Sequence, residues 1–252
     1  MSWSLSRIYR HPVKSLGQEA LDGVALTPGH AMPFDRAWAV AHGGSDWDPA
    51  APAWLHCRNF VTQRHVAALA KTSASFDDAS GVLTLTHPDH PDLAIKPGTD
   101  EGAAALTEWL SPMSADKQKG PYTLAHAPGI SFTDGDDCHL SLASLASRRA
   151  LEERVGQPLA DIRFRMNLWL DGPNAWEELG MEGQEITIGE VRLKVLSRCA
   201  RCNATNANPE TGAFDTQIPR ILQDAYGHMD FGVNVQVVAG GEIKIGDSAS
   251  LV

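Results

Sequence analysis

Two cysteines separated by two residues form the strongest chemical feature of this sequence. Cys199 and Cys202 follow a predicted strand and should lie on the loop that leaves it, with Arg198 and Arg201 beside them. A nearby guanidinium favours a thiolate over a thiol, and the thiolate is the form that binds soft metals and attacks electrophiles. The pattern therefore favours a single functional thiolate in a pocket that also holds an anion.

Three other interpretations of this cysteine pair stay open. A zinc site needs four ligands, whereas the other cysteines, Cys57 and Cys138, are single, although a histidine adjoins each. A thioredoxin-like redox pair normally opens a helix, whereas the residues after Cys202 are typical of a loop. The third interpretation is two buried thiols at a strand end. It explains the neighbouring arginines poorly, because burying a charge without a partner is costly.

A second cationic segment lies near the start of the chain. Residues 11–15 read HPVKS, and Arg36 follows on the next predicted strand. An ammonium, a hydroxyl and a guanidinium from Lys14, Ser15 and Arg36 suit a phosphate or a carboxylate. A solvated loop is the simpler interpretation of the same residues.

A third cationic segment, residues 163–167, reads RFRMN. In a strand, alternation would place Arg163, Arg165 and Asn167 on one face, where they could bind an anion and a polar ring edge together. The simpler interpretation is an exposed strand face.

The charge distribution has two interpretations: random clustering on solvated faces, or a local anion site in an acidic protein. The 252 residues include 31 acidic and 21 basic side chains, which gives a formal net charge of −10. Residues 1–64 and 148–201 hold six and nine of the 21 Lys and Arg residues. The overall charge argues against a nucleic-acid partner or an anionic membrane partner, since both need a basic face.

Membrane and export signals are not found in the sequence. No apolar run reaches the roughly 18–20 residues of a membrane span, and the first ten residues lack a secretory pattern. We therefore expect a cytoplasmic protein with reduced cysteines and no membrane span.

The elements that must position these side chains are mostly short strands. A hairpin is predicted over residues 186–196 around Gly189-Glu190, and a second over 233–252 around Gly240-Gly241. Further strands are expected at residues 7–9, 24–27, 37–41 and 82–86. Helices are expected at 142–155, with Ser141 as N-cap, and at 103–110 and 218–225.

This pattern predicts a mainly β protein with a few helices (α+β), built as a barrel or sandwich. The acidic, Pro-rich stretch 87–120 is expected to separate two subdomains. We place the division at residues 1–118 and 119–252.

The motifs occur in an order that resembles the MOSC family, the molybdenum cofactor sulfurase C-terminal domain proteins. The N-terminal β-barrel domain of that family resembles IYRHPVKSLGQEALDGVALTPGHAMPFDRAWAV. The core of the MOSC domain resembles RFRMNLWLDGPNAWEE and EITIGEVRLKVLSRCARCNATNANPETG, and its last hairpin resembles FGVNVQVVAGGEIKIGD. The pattern CxxCxxTxxxPxTG is the most specific part.

The resemblance implies a β-barrel MOSC domain packed with an N-terminal β-barrel-like domain, and a molybdenum-molybdopterin cofactor (Moco) in the cleft between them. It makes Cys202 the metal ligand and the catalytic residue. Lys14, Ser15 and Arg36 match positions that hold the phosphate end of the cofactor. Further cofactor contacts are expected from Ser141, Arg165, Asn167, Arg201 and Thr205.

The activity implied by the resemblance is a reductase of N-hydroxylated or N-oxide small molecules that does not use pyridoxal phosphate. Some relatives carry an iron–sulfur domain after the last hairpin. Here the electrons are expected from a separate ferredoxin- or flavoprotein-type partner. Two alternatives stay open: a carrier of persulfide sulfur or of the cofactor, with no turnover of its own, and a binding module that has lost the cofactor site.

Overall fold

Strands hold more residues than helices in the computed structural model, which describes residues 3–135 and 140–252. The strands are β1 (Trp3–Arg10), β2 (Glu19–Leu21), β3 (Gly23–Leu26), β4 (Trp38–Ala41), β5 (Ser73–Asp77), β6 (Val82–His87), β7 (His90–Ile95), β8 (Thr123–His126), β9 (Leu140–Ser144), β10 (Leu168–Asp171), β11 (Glu185–Ile188), β12 (Val191–Ala200), β13 (Asp230–Ala239), β14 (Gly241–Lys244) and β15 (Ser248–Leu251). The α-helices are α1 (Asp100–Ser114), α2 (Leu145–Val155) and α3 (Ile218–Tyr226). The predicted mainly β fold is confirmed.

A closed barrel of seven strands forms one half of the molecule. Its strand order is β10, β9, β13, β12, β11, β15 and β1, and β1 returns to pair with β10. Side chains along β12 alternate between the barrel interior and the surface. Val191, Leu193 and Val195 are buried, whereas Arg192 and Lys194 are exposed. The barrel interior is therefore a packed apolar core.

Two smaller sheets and α1 form the other half. β4 pairs with β8, and β5, β6 and β7 form a three-stranded sheet. Leu106 and Leu110 of α1 pack into the same hydrophobic core as Trp38, Leu83 and Leu85. The division at residues 118 and 119 stays a prediction. β1 and β8 each pair across it, because β1 closes the barrel and β8 pairs with β4.

The first predicted hairpin is confirmed and the second is wrong. β11 and β12 pair around Gly189, whose φ is +55°. After β13, however, the chain turns away: β14 pairs with β3, and β15 pairs with β11 and β1. Gly240 explains the departure, because a Cβ there would lie 2.5 Å from the carbonyl oxygen of Leu26. This close approach directs the chain to β3.

The predicted helix start at Ser141 is also wrong. Residues 140–144 form β9, which is buried along its whole length between β10 and β13. The helix begins at Leu145, and the N-cap is Ser144, whose hydroxyl accepts from the Ser147 backbone N–H at 3.0 Å. The predicted end of this helix at residue 155 is confirmed, because Gly156 follows Val155 in the left-handed conformation and ends α2.

The strand considered over residues 163–167 is also wrong, for a reason of backbone geometry. Residues 163–167 are not a strand, because a 3-10 turn spans Asp161–Arg163 and Arg165 is left-handed at φ +50°. The stretch 87–120 contains β7 and α1, and its expected role in separating two subdomains stays a prediction. The side chain of Thr99 caps α1 by accepting from the Gly102 N–H.

Truncating a leucine should destabilise the protein more in the barrel core than at an exposed position on the barrel. Leu170 on β10 is 1% exposed, whereas Leu251 on β15 is 41% exposed. Leu170→Ala should lower the free energy of unfolding by about 2–5 kcal/mol. Leu251→Ala should change it by less than about 1 kcal/mol. Urea titration of both variants measures this difference, and equal losses would contradict the packing described.

Candidate cofactor site

One cleft gathers every site residue predicted from the sequence. It lies where the barrel meets the smaller sheets, and its lining comes from segments far apart in the chain. The predicted residues in its lining are Lys14, Ser15, Arg36, Ser141, Arg165, Asn167, Arg201, Cys202 and Thr205.

The lining of this cleft is strongly cationic although the whole protein is acidic. Among the described residues of the lining, six are lysine or arginine and one, Asp134, is acidic. Clustered cations in a concave, partly desolvated site attract anions more strongly than the same charges spread over a surface. The cleft therefore suits an anionic ligand.

The backbone at three of the predicted residues is left-handed. Ser15, Arg36 and Arg165 have φ values of +65°, +49° and +50°. Across the described residues, only two other non-glycine positions share this conformation, Phe34 and Trp176. Such backbone costs free energy and is retained mainly where the surroundings fix a functional geometry. The strain is concentrated at this cleft.

Arg36 is held by a buried carboxylate. Its guanidinium donates to the Asp35 carboxylate and, at 2.7 Å, to the carbonyl oxygen of Arg165. Asp35 also accepts from the backbone N–H of His11 at 2.7 Å. The Arg36 side chain is 12% exposed, so Asp35 fixes a cation at the wall of the cleft.

Burial and neighbouring charges shift the pKa values of Asp35 and His11. Burial acts to raise the pKa of Asp35, but Arg36 and the hydrogen bonds from His11 outweigh it, and the net pKa lies well below its usual value. Burial and the cations Arg36 and Arg165 lower the pKa of His11 to about 3, against the opposing effect of Asp35. Asp35 is therefore ionised and His11 neutral at pH 7.

Asn167, the residue before β10, connects β1, β9 and the turn that carries Arg36. Its side-chain oxygen accepts from the N–H and hydroxyl of Ser141, both at 3.0 Å, and from Arg36 at 3.4 Å. Its amide donates to the carbonyl oxygen of Tyr9 at 3.1 Å. Asn167 is buried, and its hydrogen bonds position Ser141 and Arg36.

Two further predicted cations, Arg165 and Lys14, have different surroundings. Arg165 donates to the carbonyl oxygen of Gly17 at 2.8 Å, and burial beside Arg36 lowers its pKa, although a guanidinium stays charged at pH 7. Lys14 donates to Asp134 at 2.6 Å and holds the pKa of that carboxyl well below its usual range. The Asp134 side chain is 80% exposed. An incoming anion can therefore replace it without burying the carboxylate.

The two cysteines of the pair lie in different local structures. Cys199 lies within β12, and the Arg201 guanidinium donates to its sulfur at 2.7 Å. Cys202 is exposed and follows the strand, as the N-cap of a 3-10 turn over Asn203–Asn206. Thr205 donates its hydroxyl to the Cys202 carbonyl oxygen at 2.9 Å. The prediction of a loop position holds for Cys202 and is wrong for Cys199.

Arg163 lines the cleft but does not share a strand face with Arg165. Its guanidinium donates to both carboxylate oxygens of Asp215, at 2.9 and 2.7 Å, and to the carbonyl oxygens of Thr205 and Asn206. The left-handed turn at Arg165 separates the two side chains. Arg163 therefore holds the segment that follows Cys202.

Sequence reasoning did not assign several lining residues to the site, among them two from the 3-10 turn at Cys57–Asn59 and the loop after it. Cys57 and Arg64 reach the same cleft. Burial raises the pKa of the Cys57 thiol. Neither residue belongs to a motif. The only available signal for Arg64 was its membership of the basic segment 1–64.

The described residues do not support a zinc site. Within 3–135 and 140–252, no three His, Cys, Asp or Glu side chains are placed to hold one metal ion. Cys138 and His139, considered above for zinc, lie outside the described residues.

The comparisons with known proteins establish the family. The MOSC domain profile matches residues 130–250, and the MOSC N-terminal beta barrel domain profile matches residues 2–119. The chain belongs to the MOSC family. No described helix has the length and apolar character needed to cross a membrane.

Named relatives fall into two groups. Mitochondrial amidoxime-reducing component 1 of Homo sapiens is 30% identical, over 98% of this chain and 82% of the relative. The Xenopus laevis protein of that name is 25% identical, over 96% and 80%. Molybdenum cofactor sulfurase of Drosophila ananassae is 24% identical over 89% of this chain, which spans 30% of that protein.

A solved structure is also similar to this chain. The YuaD protein from Bacillus subtilis covers 99% of this chain and 94% of its own, with 12% identity and a TM-score of 0.48.

The buried histidine predicts a pH dependence of stability. An unfolded histidine binds a proton below about pH 6.5, whereas folded His11 does so only below about 3. Between these values the unfolded state binds more protons, so stability falls as pH falls, by up to about 1.4 kcal/mol per pH unit from this group. His11→Gln should flatten the dependence of unfolding free energy between pH 6.5 and 4.

The matched control for this measurement is His30→Gln, because His30 is exposed. It should keep the wild-type slope in denaturant titrations across the same pH range. Parallel curves for wild type and His11→Gln would contradict the assignment of His11 as a neutral buried group.

Proposed function

We propose that the protein binds Moco and reduces N-hydroxylated or N-oxide small molecules with electrons from a separate donor protein. The observation that carries the proposal is the joining of an exposed thiol, Cys202, with a cationic lining in one cleft. Similarity to amidoxime-reducing components over nearly the whole chain supports the reductase class.

The residues of the cleft fit such a cofactor chemically. Lys14, Ser15 and Arg36 would hold its phosphate, since ammonium, hydroxyl and guanidinium groups bind phosphate oxygens. Cys202 would supply the one protein sulfur, and its exposure leaves it open to a metal. A further sign of fit is Arg201, whose buried Nε has no hydrogen-bond partner within the described structure.

The remaining predicted residues would orient the cofactor. Arg165 adds a charge that neutralises an anion, and Thr205 fixes the carbonyl of Cys202. Ser141 and Asn167 hold each other and Arg36 in place. These contacts let the chain present its thiol and its cations in one fixed arrangement.

The proposed reaction converts an amidoxime, two electrons and two protons into an amidine and water. When bound, the cofactor supplies a two-electron redox centre at the metal. The chain's own contribution is binding, charge complementarity and orientation. We assign no general acid, because the described cleft holds no carboxyl group with a raised pKa.

The donor would be a ferredoxin- or flavoprotein-type partner, and the cytoplasmic location expected from the sequence is part of the same proposal. Cys57, Cys199 and Cys202 are all free thiols, which suits a reducing compartment.

A second candidate is a carrier of persulfide sulfur or of the cofactor, with Cys202 as the carrying thiol. The exposure of Cys202 and the similarity to molybdenum cofactor sulfurase favour it. The two candidates differ in whether the metal stays bound and substrate is turned over.

Metal retention should depend on Cys202 more than on Cys199. Cys202→Ser should lose most bound molybdenum, because it removes the exposed sulfur. Cys199→Ser is the matched comparison and should lose less, since its sulfur contacts Arg201. Metal analysis of protein from a molybdenum-replete host measures the molybdenum content of both variants. The free energy of unfolding of Cys202→Ser, from thermal unfolding, should differ from that of wild type by less than about 1–2 kcal/mol. Equal metal loss in both variants would instead indicate a dithiol site.

Turnover separates the two candidate functions. The protein with stoichiometric molybdenum and pterin should reduce benzamidoxime when supplied with a chemical reductant. Persulfide on Cys202 by mass spectrometry, without molybdenum or turnover, would contradict the reductase and support the carrier.

A further inference from the structure

A second groove adjoins the cofactor cleft. It has a volume of about 570 Å³, which lies in the range of small-molecule sites. Its lining residues are Arg64, Asn203, Asn206, Phe214, Asp215, Thr216, Gln217, Pro219 and Arg220.

The groove and the cleft share a boundary at Arg64, which lines both. Asn203 follows Cys202 directly, and Asn206 ends the same 3-10 turn. A ligand in the groove therefore lies next to the segment that carries the thiol. One molecule can extend from the groove toward Cys202.

Arg64 differs from the other cations of the cleft. The other five are hydrogen-bonded to protein groups, as described above for Lys14, Arg36, Arg163, Arg165 and Arg201. Arg64 is exposed and has no hydrogen bond or ion pair within the described part of the chain. A ligand anion can bind it without displacing a protein partner.

Phe214 provides an aromatic surface in the same groove. Phe214 is 49% exposed, so its ring is accessible to a ligand in the groove. The loop that carries it is fixed by the bridge between Ala207 and Phe214 and by the double hydrogen bond of Arg163 to Asp215. A fixed, exposed ring suits stacking against a planar ligand.

The charge balance of the groove favours an anion. Arg64 and Arg220 are cationic, and Asp215, the one carboxylate among the described lining residues, is already engaged by Arg163 and Asn208. Arg220 lies 3.5 Å from Asp224, with both side chains largely exposed. Such an exposed pair is weak, so it leaves Arg220 available to a ligand.

We propose that this groove is the substrate subsite, and that it selects planar aromatic N-hydroxylated compounds that carry a carboxylate. The aromatic ring packs on Phe214, and the carboxylate binds Arg64. This substrate class rests on the proposed function, whereas the groove's affinity for an aromatic carboxylate does not require turnover.

Binding of two unreactive ligands tests the subsite directly. The full-length protein, as purified, is titrated calorimetrically with 4-carboxybenzamide and with neutral benzamide. Wild type should bind the carboxylate ligand about tenfold more tightly, as expected for one charge-assisted contact. Arg64→Gln should reduce this ratio to below about threefold, and Arg64→Lys should restore part of it.

The matched control is Arg192→Gln, an exposed arginine at the end of β12 remote from Cys199. It should keep the wild-type ratio, and unfolding temperatures of all variants should agree with wild type, since Arg64 holds no protein partner. Equal affinity for the two ligands in wild type, or an unchanged ratio in Arg64→Gln, would overturn the proposal.

Turnover distinguishes failure of the subsite from failure of the reductase. Preference for the carboxylate ligand without reductase activity would leave the subsite standing and reject the proposed function. Reduction of benzamidoxime without any preference for the carboxylate ligand would reject the subsite alone.

Discussion

The buried ion pair of Asp35 with Arg36 is the contact on which the cleft depends. Removing a guanidinium from water is costly unless a carboxylate and hydrogen bonds compensate it. Asp35 supplies the carboxylate, and Arg36 then donates to the Arg165 carbonyl oxygen across the cleft. The Arg36 guanidinium therefore links the smaller sheets to the segment that enters β10, and it fixes the wall of the cleft at this point.

The local charge of the cleft also explains how an acidic protein can select an anion. A net charge of −10 repels polyanions at long range, whereas the six cations of the lining act over a few ångströms. A small phosphorylated ligand can enter such a site, but a nucleic acid or an anionic membrane cannot match it. The neutral state of His11 contributes as well, because it lets Asp35 keep its full charge for Arg36.

The sequence allowed the barrel class and the chemical residues to be predicted, because both leave local signals. Spacing identified the pair at 199 and 202, and alternation identified β11 and β12. Pairing of β14 with β3 could not be predicted, since the partners lie more than 200 residues apart. The sequence RFRMN has the alternation of a strand, yet a left-handed residue interrupts it. Arg64 left no local signal because its role comes from its position between two cavities.

Molybdenum-edge anomalous diffraction from crystals of the cofactor-loaded protein would locate the metal and its ligands. We expect a single strong anomalous peak bonded to the sulfur of Cys202, with phosphate density in contact with Lys14, Ser15 and Arg36. A peak bonded to Cys199 or Cys57, or a metal-pterin bound outside this cleft, would contradict this expectation.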